Sequence, residues 1–202
     1  EPKIKELLNS LFKNVPSGVG SESKLKLSDK ELDDVLTRGA VFALEKGYGE
    51  KQDVDHCEEE GYMTTADASK VSNKAKARGR SQLGTLGAGN HFLEVQIVDK
   101  IYDAKAATRF GITKEGQITV MIHCGSRGLG HQVCSDYLRE MEDAYPEIMK
   151  SLPEKDLIYA PSGSKLADSY FKAMSASANY AWANRHIIGH YVRESFREVF
   201  GN

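Results

Sequence analysis

The chain of 202 residues is 40% hydrophobic and 28% charged, and its net formal charge is −2 at pH 7. These values predict a soluble globular domain, or part of a larger one, and the net charge alone does not indicate a nucleic-acid partner. No apolar run approaches about 18 residues, which excludes a transmembrane span. Three cysteines without a C-x-x-C spacing argue against a disulfide scaffold or a cysteine-rich zinc finger and favour a reducing compartment: Cys57, Cys124 and Cys134.

Two helices are predicted near the start of the chain. Residues 3–13 place apolar side chains at helical spacing and lack the apolar core of a signal peptide. Ser28 and Glu31 form an S-x-x-E capping box that opens a second helix, and Gly47 is a natural stop after it. We expect this second helix to pack in the core.

Two polar stretches follow, and each has two interpretations. In the acidic residues 50–61, His56 and Cys57 could bind a metal, but adjacent residues point in different directions, which favours a structural role. Residues 67–80 carry five cations with no acid after Asp67: Lys70, Lys74, Lys76, Arg78 and Arg80. This run is either a solvated helix face or a contact for a phosphate backbone beside a reactive site.

The first of two similar segments, the first arm, spans residues 84–99. Its loop has a G-x-x-G-x-G pattern whose backbone N–H groups can approach an anion closely. Alternating residues after His91 predict a strand over 92–98. A regular strand would place Asn90 and Glu94 on one face and His91 on the other, so a shared site requires irregular backbone at Asn90.

The second arm begins, after a short predicted helix near residues 103–111, with a strand that ends at His123. A second G-x-x-G-x-G loop follows, at Gly125, Gly128 and Gly130, and leads into a predicted helix. A strand, glycine loop and helix in this order suit phosphate binding, and Arg127 adds a permanent cation. The loop is not a P-loop, because no Gly-Lys-Ser/Thr sequence ends it.

Residues 166–200 are predicted to be helical, with a candidate kink at Gly189. Their predicted apolar stripe comprises Tyr170, Phe171, Met174, Ala178, Ala181 and Trp182, and it continues with Ile187, His190, Tyr191, Phe196 and Val199. Small residues are expected to allow close packing: Ala173, Ala176, Ala178, Ala181 and Ala183. His186 and His190 have the i, i+4 spacing of some zinc sites, but no H-E-x-x-H motif is present, and surface or capping roles are more common.

The two arms suggest a site in which His91 and His123 are candidate metal ligands beside phosphate-binding loops. Neutral imidazole binds Mn, Zn or Fe. Two ligands are too few to complete the coordination of a metal, and Glu94 or a cysteine is the remaining candidate ligand. The residues alone therefore leave both a structural role and a metal-binding role open for the two histidines. We expect an α+β fold in which a mixed sheet containing both arm strands is packed against helices.

The segments QLGTLGAGNHFLEVQIVD and VMIHCGSRGLGHQVCSDYL resemble the signature segments of the RtcB family of tRNA-splicing RNA ligases. Similar resemblance extends to VPSGVGS, HCEEEG, KARGRSQLGTLGAGNH and SASANYAWANR, with HCEEEG closest to archaeal and eukaryotic members. The resemblance implies an enzyme that uses Mn²⁺ and GTP to join RNA 2′,3′-cyclic phosphate or 3′-phosphate ends to 5′-hydroxyl ends. The RNA would be tRNA exon halves or broken RNA, with accessory proteins as further partners.

Residue roles follow from the resemblance by motif. His91 and His123 resemble manganese ligands. Residues 90–94 resemble the nucleotide-binding segment: Asn90, His91, Phe92, Leu93 and Glu94. Arg78 and Arg127 resemble contacts to RNA phosphates.

The sequence also departs from the family pattern. The upstream Asp-x-x-Cys motif and the downstream motifs with the guanylylated histidine are missing, so no catalytic residue is assigned. We therefore interpret residues 1–202 as one domain that is the central segment of a larger ligase, inactive on its own. We expect a cytoplasmic location, or also a nuclear one in a eukaryote, and no membrane association. The alternatives are a catalytically silent RNA- or nucleotide-binding module or scaffold subunit and, more distantly, a phosphoesterase.

Overall fold

The computed structural model describes residues 2–201. The helices are α1 (Pro2–Asn14), α2 (Asp29–Glu45), α3 (Lys51–Asp55), α4 (Asn73–Arg80), α5 (Ala104–Arg109), α6 (Arg127–Ala144), α7 (Pro146–Ser151) and α8 (Lys165–Phe200). The strands are β1 (Phe92–Ile97) and β2 (Ile118–His123). Short 3-10 turns occupy Glu58–Gly61, Ala68–Lys70 and Lys155–Leu157.

Helix α2 begins and ends where the sequence predicts. The side chain of Ser28 accepts a hydrogen bond from the backbone N–H of Glu31, whose carboxylate accepts one from the N–H of Ser28, so the predicted capping box is confirmed. Gly47, with φ of 88°, follows the last turn. The helix is interrupted at Gly39, where φ is 52° and a Cβ atom would overlap the carbonyl oxygen of Gly61. Glycine at position 39 therefore lets the loop after α3 approach the backbone of α2.

The α+β class is confirmed, and within residues 2–201 the sheet consists of two antiparallel strands. In its register Phe92 lies opposite His123 and Leu93 opposite Ile122. Leu93 and Ile122 pack against the core, so Phe92 and His123 lie on the opposite face. A separate parallel bridge joins Ser17 to Leu86 and brings the VPSGVGS segment to the first glycine loop.

Helix α8 packs against the core, but part of its buried face differs from the predicted apolar stripe. Phe171 and Met174 of the predicted stripe are exposed, whereas the buried face consists largely of small and polar side chains around Tyr180: Ala173, Ser175, Ala176, Ser177, Asn179, Ala183 and Asn184. The predicted stripe is wrong at Phe171 and Met174, whereas the close packing expected of the small residues is confirmed by the burial of Ala173, Ala176 and Ala183. The continuation of the stripe is buried at Ile187 and Tyr191, as predicted. The buried asparagines bond to neighbouring backbone. The helix also continues through Gly189, so the expected kink is absent.

Helix α6 begins earlier than predicted. Its first residue is Arg127, so Gly128 and Gly130 belong to the first helical turn rather than to a loop. The helix ends at Ala144, and Pro146 opens α7, because proline suits a first helical turn and does not continue a preceding one. None of the helices in residues 2–201 combines the length and apolar character needed to span a membrane.

Candidate metal and phosphate site

The two arms bring their histidines together at one end of the sheet. The ring centroids of His91 and His123 are 6.5 Å apart, and those of Phe92 and His123 are 5.0 Å apart. Strand β1 starts at Phe92, so Asn90 and His91 lie before the regular pleat. The backbone at Asn90 is therefore outside the regular strand, which is what a site shared by Asn90, His91 and Glu94 requires.

The residues that the resemblance suggests for nucleotide binding lie at the start of β1. Asn90 is exposed in the turn before β1. Glu94 lies on the same face of the sheet as Phe92 and is exposed, and its Oε2 accepts a hydrogen bond from Nε2 of Gln96 at 2.8 Å. Leu93 turns its side chain to the core, so only its backbone faces this end of the sheet.

The imidazole of His91 is half-buried against the first glycine loop. Its Nδ1 atom is buried and has no hydrogen-bond partner within the described residues. A Cβ atom at Gly87 would overlap Nδ1 and would also meet the guanidinium of Arg127. Desolvation lowers the pKa of His91, and the nearby charges of Arg127 and His123 lower it further. These effects favour the neutral imidazole, which is the form that binds a metal.

The donor set of this end of the sheet fits part of a metal site. A buried imidazole nitrogen without a partner is an unusual polar group, and a divalent metal would satisfy it. In the part of the chain from residue 2 to 201, no group of three or more His, Cys, Asp or Glu side chains could hold a metal ion. Cys124 is not a third donor, because it is buried with its Sγ 3.5 Å from the carbonyl oxygen of Thr85. His91 and His123 therefore fit as two ligands of a larger set.

Arg127 joins the second arm to the first. It opens α6 with a φ of 52°, a left-handed conformation that is uncommon for residues other than glycine. Its Nε donates a hydrogen bond to Oγ1 of Thr85 at 3.1 Å. This contact leaves the rest of the guanidinium beside His91 and Gly87.

Arg78 reaches the same helix end from α4. Its Nε lies beside Gly128, and its Nη1 donates a hydrogen bond to Oε1 of Gln132 at 3.2 Å. Among residues 2–201, neither Arg78 nor Arg127 forms a salt bridge. Two cations without a carboxylate partner at a helix N-terminus are suited to an anionic ligand.

The basic run is divided by its partners. Lys76 forms a salt bridge with Asp33 at 2.7 Å, and Arg80 pairs with Asp29. These two residues therefore attach α4 to α2, whereas Arg78 faces α6. The ion pairs of Lys76 and Arg80 are structural, whereas the phosphate contact of Arg78 stays a prediction.

The contribution of α8 to this site was missed in the sequence. Asn184 bonds to the backbone of both glycine loops, and Nη1 of Arg185 donates to the carbonyl oxygen of Cys124 at 2.9 Å. An asparagine inside an apolar helical pattern was the available signal, because a buried amide requires partners.

Three of the other histidines, His56, His186 and His190, have structural contacts. A ring nitrogen of His56 lies 2.7 Å from the carbonyl oxygen of Gln52 in the preceding turn. His186 contacts the carbonyl oxygen of Tyr48 at 2.7 Å, and Nδ1 of His190 accepts from the N–H of Gly49 at 3.1 Å. His186 and His190 therefore both contact the loop after α2, which is a structural role for this pair.

Two imidazoles beside glycine-rich backbone, with two arginines that lack carboxylate partners, fit a class of site that binds phosphate groups with a metal. The chain belongs to the RtcB family, whose model, described as tRNA-splicing ligase RtcB, matches residues 1–202.

Curated relatives agree with this assignment. The chain is 57% identical over 201 residues to a tRNA-splicing ligase RtcB of Archaeoglobus fulgidus and 56% identical over 201 residues to one of Pyrobaculum aerophilum. All of the chain is covered in both comparisons, but only 42% of each relative. A protein of the same name from Methanocaldococcus jannaschii is 57% identical over 200 residues, with 99% of this chain and 21% of the relative covered. The chain thus spans less than half the length of these relatives.

Proposed function

We propose that the protein containing this chain is a GTP- and Mn²⁺-dependent RNA ligase that joins 2′,3′-cyclic phosphate or 3′-phosphate ends to 5′-hydroxyl ends. The observation that carries the proposal is the convergence of His91, His123 and Arg127 at the junction of the two glycine loops. Membership of a family described as tRNA-splicing ligases supports it. The RNA would be tRNA exon halves or broken RNA ends.

The residues of this chain would have three separate roles, which are metal binding, RNA phosphate binding and nucleotide binding. His91 and His123 would hold Mn²⁺ through neutral nitrogens, and the metal would supply stabilisation of charge on phosphoryl oxygens. Arg127 and Arg78 would bind RNA phosphates and hold the RNA end in register. Asn90 and Glu94, with the backbone of residues 92 and 93, would orient the guanine nucleotide.

The experiment is an RNA-joining assay on the full-length protein, with GTP and Mn²⁺ supplied or withheld. His91→Ala and His123→Ala should each reduce joining by at least about 100-fold, because each removes a ligand of the metal. His131→Ala is the matched control, since His131 is an exposed histidine on α6 whose side chain has no hydrogen bond in the described structure. Wild-type protein that joins no such ends when GTP and Mn²⁺ are present would refute the proposal.

The chain on its own is proposed to be inactive. Its two imidazoles supply only part of a metal ligand set, and the relatives contain more than twice its length. Residues 1–202 should bind Mn²⁺ more weakly than the full-length protein in a calorimetric titration. Equal affinity, together with efficient RNA joining by residues 1–202, would contradict this part of the proposal.

A second candidate is an RNA- or nucleotide-binding module without catalytic activity, favoured by Arg78 and Arg127, which form no salt bridge in the described residues. Such a module would bind RNA with the same salt dependence as the ligase but would join no ends. The joining assay separates the two candidates directly.

A further inference from the structure

Asn184 on α8 lies where the two glycine loops meet, and its side chain is fully buried (0% exposed). Its Oδ1 accepts hydrogen bonds from the N–H groups of Gly84 at 2.6 Å and Thr85 at 3.1 Å. Its Nδ2 lies within donating distance of the carbonyl oxygens of Thr85 at 3.2 Å and Gly125 at 3.1 Å, and of Sγ of Cys124 at 3.3 Å. A carboxamide has two donor hydrogens and one acceptor oxygen, so both loops together saturate this group.

These backbone groups are close in sequence to the candidate ligands. Thr85 belongs to the loop that leads to His91, and Gly125 follows His123 by two residues. Thr85 also accepts the hydrogen bond of Arg127 through Oγ1. A substitution of Asn184 would therefore shift the loop backbone and with it the positions of His91, His123 and Arg127.

We propose that Asn184 is a positioning residue that sets the separation of His91 and His123 and fixes the Thr85 contact of Arg127. It acts through the loop backbone and touches neither the metal nor RNA. The inference rests on the proposed function, because the ligands that it positions are those of the same Mn²⁺ and phosphate site. Loss of an outer group of this kind commonly weakens metal affinity by roughly 10- to 100-fold.

Asn179 provides a matched control on the same helix. It is also fully buried (0% exposed), and its Oδ1 accepts from the N–H of Met63 at 2.7 Å. Its Nδ2 donates to the carbonyl oxygen of Leu36 at 2.9 Å, and neither partner belongs to a glycine loop. Removal of either amide leaves buried backbone groups unpaired, but only Asn184 is connected to the histidines.

The test uses Asn184→Ala and Asn179→Ala in the full-length protein, with Mn²⁺ affinity measured by calorimetric titration and stability by urea unfolding. Both variants should unfold at lower urea concentrations than the wild type. Asn184→Ala should weaken Mn²⁺ binding by at least about 10-fold, whereas Asn179→Ala should change it by less than about twofold. Equal Mn²⁺ affinities in the two variants would overturn the inference.

Arg185 supplies a second variant in case Asn184→Ala does not fold. It is partly exposed and donates to the carbonyl oxygen of Cys124, the residue after His123. Arg185→Leu should weaken Mn²⁺ binding by about threefold or more if α8 positions the second arm, and unchanged affinity would refute that role. Wild-type protein that binds no Mn²⁺ would instead refute the proposed function, so the two failures are distinguishable.

Discussion

The backbone of Gly87 lies directly against Nδ1 of the His91 imidazole, so that a Cβ atom at position 87 would overlap this nitrogen. The same Cβ would meet the guanidinium of Arg127. Glycine at position 87 is therefore required by close approach rather than by an unusual backbone angle.

Gly87→Ala is expected to displace the His91 ring and weaken Mn²⁺ binding by about tenfold, with a loss of about 1–3 kcal/mol in the free energy of unfolding from overpacking. Calorimetric titration and urea unfolding of the full-length protein measure the two effects. Gly189→Ala is the control, because a Cβ there meets nothing within 4 Å and alanine favours a helix. Wild-type Mn²⁺ affinity in Gly87→Ala would show that this contact does not position His91.

The paired substitution Arg78→Ala and Arg127→Ala tests the phosphate contacts. If each arginine binds one phosphate of a single strand, the slope of log affinity against log salt should become shallower by roughly 1.4. Fluorescence anisotropy with a labelled RNA across salt concentrations measures the slope. Arg80→Ala should leave it unchanged, because Arg80 on the same helix pairs with Asp29. An unaltered slope in the double variant would remove Arg78 and Arg127 from the RNA interface.

The Asp53–Arg193 pair should make the attachment of α3 to α8 sensitive to acid. The two side chains form a double hydrogen bond at 2.6 and 2.8 Å. Burial alone would raise the pKa of Asp53, but the bonds from Arg193 and from the N–H of Glu50 outweigh it, so the pKa lies below its ordinary value of 3.8. A carboxyl with a lowered folded-state pKa stabilises the fold above the unfolded pKa, and this stabilisation is lost as pH falls through the folded value.

Asp53→Asn should therefore lower the free energy of unfolding by about 1 kcal/mol at pH 7, and this difference from wild type should shrink below about pH 4. Urea unfolding at a series of pH values measures it. A difference that stays constant from pH 7 to pH 3 would show that the Asp53 charge does not stabilise the fold.

Tyr180 connects α8 to α4 through one buried hydrogen bond. Its hydroxyl donates to the carbonyl oxygen of Gly79 at 2.6 Å, and burial raises its pKa, which keeps the donor protonated. Tyr180→Phe leaves that carbonyl without this partner and should lower the free energy of unfolding by about 1–3 kcal/mol. Tyr102→Phe, at a side chain that is 88% exposed, should change stability by less than about 0.5 kcal/mol in the same urea assay. Equal effects of the two substitutions would contradict the role of the buried bond.

Local sequence features were sufficient to predict those elements whose conformation depends on neighbouring residues. The capping box of Ser28 and Glu31, the two alternating strands and the helix after the second loop all depend on neighbouring residues. The candidate pair of His91 and His123 was also identified, because each follows a recognisable pattern of loop and strand. Their metal and nucleotide roles remain predictions.

Tertiary packing decided which face of α8 is buried and what that face does. Phe171 and Met174 are exposed, whereas Asn184 and its small neighbours are buried. The reason is that buried loop backbone needs hydrogen-bond partners, and Asn184 satisfies groups from residues about 60 and 100 positions away. The sequence by itself determined the capping box of α2, the two strands and the candidate ligands, whereas only the tertiary structure decided how α8 joins the two glycine loops, because the partners of a buried amide are distant in sequence.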